Sequence, residues 1–331
     1  MLAALDAGWA QSLEEKVVPV TVDNFVRAES DLYLGNMVKE GSLGKFVHRR
    51  DPASTDNRTV IRANRDTLYS AAVFDLEASP ATITLPNSGP RLMSLQVIDE
   101  DHYISTIVYG AGSYPLERVK IGTRYCAAVV RTIIDPMDPT DLKQGQVIQD
   151  AIRVSQENRG TFEVPNWDQM SQKKIRDALL VLASTASDFK GAFGARGEVD
   201  SLRHLIGTAL NWGENPNHDA VYRSITPGGN DGARVNRLVV KEVPADVFWS
   251  ISVGNAKGPL ESTEKNRYSI NSLTVNKSDD GAIAIQFGGC DGRVANCLSI
   301  VPNWNYLIRL YRPRQELQDE RWTFPPAQPV P

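Results

Sequence analysis

Short runs in which apolar residues recur at every second position, each closed by glycine or proline, fill two blocks of this chain, and a stretch of helical period separates them. In the first block Leu68, Ala72, Phe74 and Leu76 alternate with Tyr69, Ala71, Val73 and Asp75, and the runs 83–85, 92–98, 103–109 and 124–134 continue the pattern to the turn at Pro136 and Pro139. A period of two sends alternate side chains to opposite faces of a strand, and short strands joined by turns pair antiparallel and pack as sandwiches. Between residues 140 and 213 the spacing becomes helical: Ile148 with Ile152, then Ile175, Leu179 and Leu182, then Val199, Leu202, Ile206 and Ala209. Three helices are expected there, the second and third joined across 191–197. The alternation returns at 237–242, 247–253, 268–275, 282–287 and 305–311. Near the start, Thr21 or Asp23 can cap a helix carrying Phe25, Leu32 and Tyr33 that stops at Gly41 and Gly44.

The expectation is a mainly β protein with a helical insert. It divides into a leader and first helix (1–50), an N-terminal β-sandwich domain (51–139), a helical segment (140–213) and a C-terminal β domain with a Pro-rich tail (214–331). With 331 residues, 41% of them hydrophobic and 23% charged, the chain has the apolar surface to fill more than one core. A net charge of −4, with no basic cluster denser than Arg49 and Arg50 or the 309–314 segment, excludes nucleic acid as a default partner. No apolar run approaches the roughly 18–20 residues a membrane-spanning helix needs, so the chain reads as soluble. Met1 to Ala10 is apolar but lacks a basic start and carries Asp6, which leaves compartment open: periplasmic or secreted if a signal peptide has been lost, otherwise cytoplasmic. Cys126 sits in an apolar run, whereas Cys290 and Cys297 bracket a Gly/Asp-rich loop and are read either as reduced thiols or as a disulfide. No second ligand pair accompanies them, so no metal site is expected.

Three polar constellations stand out. The first, from Arg62 to Tyr69, offers the amide of Asn64, the planar fork of Arg65, the carboxylate of Asp66 and the phenol of Tyr69; its plainer reading is a turn leading into a strand. The second gathers Gln96, Asp99, Asp101, His102 and Tyr103 at a strand–loop–strand junction, where a His among carboxylates can serve as general base. His204, on the third helix of the insert, and His218, in the Asn-rich loop, do not form a recognisable pair. The third places Tyr268, Asn271, Arg309 and Tyr311 on neighbouring C-terminal strands, with Leu307, Arg309 and Tyr311 on one face and Tyr306, Ile308 and Leu310 on the other. No nucleophile elbow, phosphate loop, dinucleotide fingerprint or zinc-protease motif occurs, and the cofactor is left open.

Taken in order, Asn64 to Ser70 and Gln96 with Asp101 to Tyr103 resemble an N-terminal domain of unknown function, DUF1254. Val243 to Ser250, Asn266 to Asn271, Gly288 to Cys290, Asn303 to Tyr306, Arg309 to Pro313 and Trp322 to Pro325 resemble its usual partner, DUF1214. The resemblance implies an immunoglobulin-like sandwich, a helical insert and a jelly-roll-like C-terminal domain, in bacterial proteins that are often exported, and it implies no settled activity. The chain departs from the pattern at Gly254 and across 319–321. Functionally, the residues favour a small polar or anionic ligand held in a cleft between the β domains by Asn64, Arg65, Tyr69, Gln96, Tyr103, Tyr268, Asn271, Arg309 and Tyr311. A hydrolase or lyase using Asp66, Asp99 or Asp101 with His102 is the second reading, and a structural protein that self-associates into a homo-oligomer is the third.

Overall fold

The computed structural model describes residues 16–52, 64–186, 188–255, 258–260 and 267–330. The leader 1–15, Arg62 and Ala63 of the first constellation, and Asn266 lie outside the described residues. Helix α1 (Phe25–Lys39) is followed by β1 (Val47–His48), β2 (Thr67–Asp75), β3 (Ala81–Leu85), β4 (Met93–Asp99), β5 (Ile104–Tyr109), β6 (Gly112–Leu116), the short α2 (Arg118–Ile121) and β7 (Tyr125–Ile133). Next come α3 (Pro139–Asp150), β8 (Arg153–Gln156), α4 (Gln169–Ala183) and α5 (Ser201–Leu210). The C-terminal elements are β9 (Ala220–Ile225), β10 (Asn236–Val240), β11 (Ala245–Asn255), β12 (Gly258–Pro259), β13 (Ser269–Asn271), β14 (Ile283–Phe287), β15 (Cys297–Leu298), β16 (Asn305–Pro313), α6 (Gln315–Gln318) and β17 (Gln328–Pro329).

The first β unit is a sandwich. A five-stranded antiparallel sheet in the order β1-β2-β7-β4-β5 packs one face against the three-stranded sheet β6-β3-β8. Ala72, Phe74, Leu95, Val97, Ala128 and Val130 meet Ala81, Ile83, Leu85, Leu116 and Ile152 there. The alternation in β2 decides which residues go inward; Tyr69, Ala71 and Val73 turn to the other face. That second face is shared. Val73, Ala127, Ile98 and Ile104 pack against Leu34 of α1 and against Ala192 and Phe193, while Ile133 meets the C-terminal domain.

Acidic caps start the helices of the insert: Asp138 accepts the Thr140 N–H with Pro139 at the first turn, Asp168 accepts from Met170 and Ser171, and Asp200 accepts from Arg203. The three expected helices are present, but the chain visits the sandwich between the first two, since β8 pairs with β3 from Ala81 opposite Gln156 to Thr84 opposite Arg153. Its Arg-Val-Ser-Gln sequence is a short edge strand with one half-buried apolar side chain, too little for a period to be read.

Two facing sheets form the C-terminal unit: β15-β14-β10-β17, and β12-β11-β16-β9 with β13 beside β11. Leu238, Val240, Ile283, Ile285 and Phe287 pack onto Trp249, Ile251, Val253, Tyr306, Ile308 and Leu310. Strand β9 falls in the Asn/Pro-rich stretch read as loop. The expected run 268–275 is strand only at Ser269–Asn271, because Asn271 Oδ1 accepts the N–H groups of Leu273 and Thr274 and turns the chain back. Cys290 and Cys297 are joined by a disulfide with Cα atoms 5.6 Å apart, and Cys126 is free and buried. The mainly β, two-domain architecture with a helical insert is therefore the one the alternation predicts. Among the described residues no helix is long and apolar enough to cross a membrane.

Candidate functional site

Two polar rows face each other where the β domains meet. In the N-terminal sheet, pairing sets Tyr69 opposite Arg131, Arg131 opposite Ser94 and Ser94 opposite Tyr109, one row across four strands. In the C-terminal sheet, Asn271 lies opposite Ser250, Ser250 opposite Arg309 and Arg309 opposite Tyr222. Three strand spacings of about 4.8 Å make each row some 14 Å long. One residue pair along, Ile133 and Leu92 close against Phe248, Tyr311 and Ala220, an apolar contact that seals one side. The phenol of Tyr311 accepts from Asn64 Nδ2 at 2.7 Å, and Asn271 Nδ2 lies 3.5 Å from Asp66 Oδ1, so residues more than 200 positions apart in sequence meet here.

Arg131 is the charged member of the N-terminal row. Its guanidinium donates to Gln96 Oε1 at 2.6 Å and to the Gly213 carbonyl at 3.0 Å, and Gln96 in turn donates to the Glu214 carbonyl at 3.1 Å. All three acceptors are neutral, and no carboxylate lies within ion-pair distance of Arg131 among the described residues. Its charge sits instead over the Tyr69 ring, 5.7 Å from the centroid, and close to the Tyr222 and Tyr311 phenols and the Glu214 carboxylate. Burial pushes the Tyr222 and Tyr311 phenols well above their ordinary range, so both are hydroxyl groups at neutral pH. Tyr69, Arg131 and Tyr222 each keep part of their surface accessible.

Toward the other end of the rows Asp66 is almost wholly buried, and burial raises its carboxyl above the usual carboxylate range against the pull of the nearby Arg309 guanidinium. Arg309 also donates to Ser252 Oγ at 2.8 Å. Three buried polar atoms at this end have no hydrogen-bond partner among the described residues: Asp66 Oδ2, Thr67 Oγ1 and Ser250 Oγ. The Ser250 hydroxyl and the Asn271 amide lie close enough to Asp66 to draw its carboxyl pKa down, and a buried polar atom left without a full hydrogen bond costs about 1–3 kcal/mol.

The second constellation sits elsewhere. Thr67 pairs with Ile133 of β7 and Asp99 with Cys126, seven residues along the same strand, so Asp66 and His102 lie roughly 23 Å apart at about 3.3 Å per residue. His102 is fully buried in a left-handed backbone conformation (φ 62°). The Gly213 N–H donates to its Nε2 at 2.8 Å, which leaves Nδ1 to donate to Thr208 Oγ1, also at 2.8 Å. Burial, with His204 beside it, holds its pKa well below the ordinary value. Around it runs a stack of planar groups: Arg196 over Tyr103 (4.4 Å), Tyr103 on His204 (4.6 Å), His204 on His102 (5.5 Å), His102 on Trp212 (5.4 Å) and Trp212 on Tyr33 (4.8 Å). Asp99 accepts the Asp101 and Tyr103 backbone N–H groups and shapes the turn, while Asp101 binds Arg27 and Arg196. Every hydrogen-bonding atom of the His102 ring is thus used to hold α5 and the following loop onto the sheet.

Residues 43–109 match the family model "Protein of unknown function (DUF1254)", and residues 229–315 match that of DUF1214. The two matches fall in the same N-terminal to C-terminal order as the two β units. A crystal structure of the VPA0106 protein from Vibrio parahaemolyticus has the same fold: TM-score 0.70 at 15% identity, covering 94% of this chain and all of that one. An uncharacterised protein from Burkholderia cenocepacia aligns with TM-score 0.48 at 14% identity over 93% of this chain and 86% of that one. No curated protein matches the sequence.

Of the sequence-predicted residues, Asn64, Asp66, Tyr69 and Gln96 come from the DUF1254 match and Asn271, Arg309 and Tyr311 from the DUF1214 match; Asn64 meets Tyr311, Asp66 meets Asn271 with Arg309 nearby, and Tyr69 and Gln96 meet Arg131. Arg65 is half-buried beside Asp66; Tyr268 packs against the C-terminal core; Tyr103, Asp99, Asp101 and His102 belong to the stack. Arg131, Tyr222, Thr67 and Ser250 escaped sequence reasoning. Arg131 did leave a signal, as the one charge in the apolar run of β7.

Proposed function

We propose that the DUF1254 and DUF1214 domains together hold a small anionic ligand in the cleft between their sheets. Arg131 carries this reading: a buried cation whose contacts are neutral acceptors and tyrosine rings is poised for an anion supplied from outside. Arg309 sits nearer Asp66, and Asn64, Asn271, Tyr69, Tyr222 and Tyr311 supply neutral hydrogen-bonding groups of both kinds, the composition of a site that fixes orientation as well as charge. Since the walls come from both domains, occupancy ties one domain to the other.

The test is a thermal-shift screen of the full chain against inorganic phosphate, short-chain carboxylates, sugar acids and neutral sugars, followed by calorimetry. An anion at one hundred times its dissociation constant adds about 2.7 kcal/mol of stability, a rise of several degrees in Tm. Arg131→Gln and the milder Asn64→Ala and Tyr222→Phe are each expected to weaken binding at least fivefold. If no anion raises Tm, or if the folded variants bind as tightly as the parent, the reading is wrong.

A further inference from the structure

We infer that Asp66, Thr67 and Ser250 form a hydroxyl-binding subsite at the far end of the cleft from Arg131, so that the ligand is a hydroxylated carboxylic acid. This rests on the cleft reading above and narrows it. Asp66 Oδ2, Thr67 Oγ1 and Ser250 Oγ are unpartnered among the described residues, and Asp66, Thr67 and Ser250 are respectively 1%, 1% and 0% exposed. They belong to two domains: Thr67 opens β2 and Asp66 immediately precedes it, and Ser250 lies on β11 directly opposite Asn271, whose amide reaches Asp66 Oδ1. Ser250 lies close enough to Asp66 to draw its carboxyl pKa down, yet none of the three atoms makes a hydrogen bond of full geometry, and a ligand hydroxyl can serve both kinds of group at once, donating to the carboxylate and accepting from Ser or Thr. Arg309, adjacent to Ser250 in the row, balances the Asp66 charge, which keeps this end suited to a neutral hydroxyl. The carboxylate of the ligand is left for Arg131. Thr67 pairs with Ile133, two residues along β7 from Arg131, so two residues at about 3.3 Å and one strand spacing of about 4.8 Å put the two backbones about 8 Å apart, within reach of a chain of five or six carbons with its terminal oxygens.

Calorimetry with gluconate, hexanoate and sorbitol separates the two claims. Gluconate carries both groups, hexanoate the carboxylate alone and sorbitol the hydroxyls alone. The expected order places gluconate at least tenfold tighter than either, and Ser250→Ala weakens gluconate at least fivefold while leaving hexanoate unchanged. Equal affinity for gluconate and hexanoate overturns the subsite and spares the cleft; failure of both to bind overturns both. A second readout needs no ligand: because the Ser250 hydroxyl is orphaned, the ligand-free Ser250→Ala and Thr67→Val variants should melt at or above the parent temperature. A drop of several degrees in both would mean that these hydroxyls serve the fold, and the subsite would be withdrawn.

Discussion

The polar contact between the β domains and the His102 stack occupy two ends of one sheet face and are built from similar residues, yet they balance their polar atoms in opposite ways. Around His102 both ring nitrogens, the Thr208 hydroxyl and the Asp101 carboxylate are all bonded within the protein. Where the domains meet, Asp66, Thr67 and Ser250 leave atoms without a full hydrogen bond and Arg131 has no contacting counter-ion, among the described residues. A buried histidine among carboxylates looks the more chemical of the two in sequence. Satisfaction of hydrogen bonds separates them, since a finished network rigidifies and an unfinished one waits for a partner. Gly213 belongs to both, its N–H on His102 and its carbonyl on Arg131.

The comparison is most exposed to His102→Ala. Removing the ring leaves a cavity, strands the Gly213 N–H and places alanine at positive φ, so a loss of about 3–5 kcal/mol in chemical denaturation is expected. Unchanged stability would show that the ring is not a structural staple and would reopen an acid–base role for it.

Asp31, in α1 beside the stack, gives a pH test. Burial raises its carboxyl from 3.8 to about 7; its Oδ2 accepts from Trp167 Nε1, and its Oδ1 has no partner among the described residues. The folded state holds this proton more tightly than the unfolded one, so the contribution is fully present below pH 4 and is lost as pH rises to about 7. At about 1.4 kcal/mol per pH unit the loss amounts to as much as ~4 kcal/mol. Asp31→Asn keeps an acceptor for Trp167 without the charge. Its Tm should exceed the parent's at pH 8, with the gap closing toward pH 4; a constant gap would show that Asp31 does not titrate in this range.

Thr208→Val sharpens the comparison with the smallest effect. The Thr208 hydroxyl accepts from His102 and donates to the His204 carbonyl, so its loss should cost about 1–2 kcal/mol, whereas Ser250→Ala should cost nothing. Equal costs in paired denaturation curves would erase the distinction between the two ends of the sheet.

Much of this was legible in the chain. The switch of period from two to helical and back located both β units and the insert because burial imposes it on every strand with one wet and one dry face. Asn64, Asp66, Asn271, Arg309 and Tyr311 were visible as polar residues placed against that pattern. Which of them meet was not, because Asp66 and Asn271 are 205 positions apart and strand order is absent from local spacing. Ser250 and Thr67 look like ordinary strand residues until their hydroxyls are found without partners. Tyr222 was hidden because β9 is short and flanked by Asn and Pro, so its alternation passes for loop.

Strand β8 has a consequence for how the chain comes off the ribosome. Because β3 lies between β6 and β8, and Ala81 pairs with Gln156, the smaller sheet of the first sandwich stays one strand short until the α3 helix and the residues after it have been synthesised. At about 5–20 residues per second, several seconds pass with the β3 edge unpaired. A fragment ending near residue 139 keeps that open edge permanently and is expected to accumulate in inclusion bodies, while one ending after residue 156 carries its own cover.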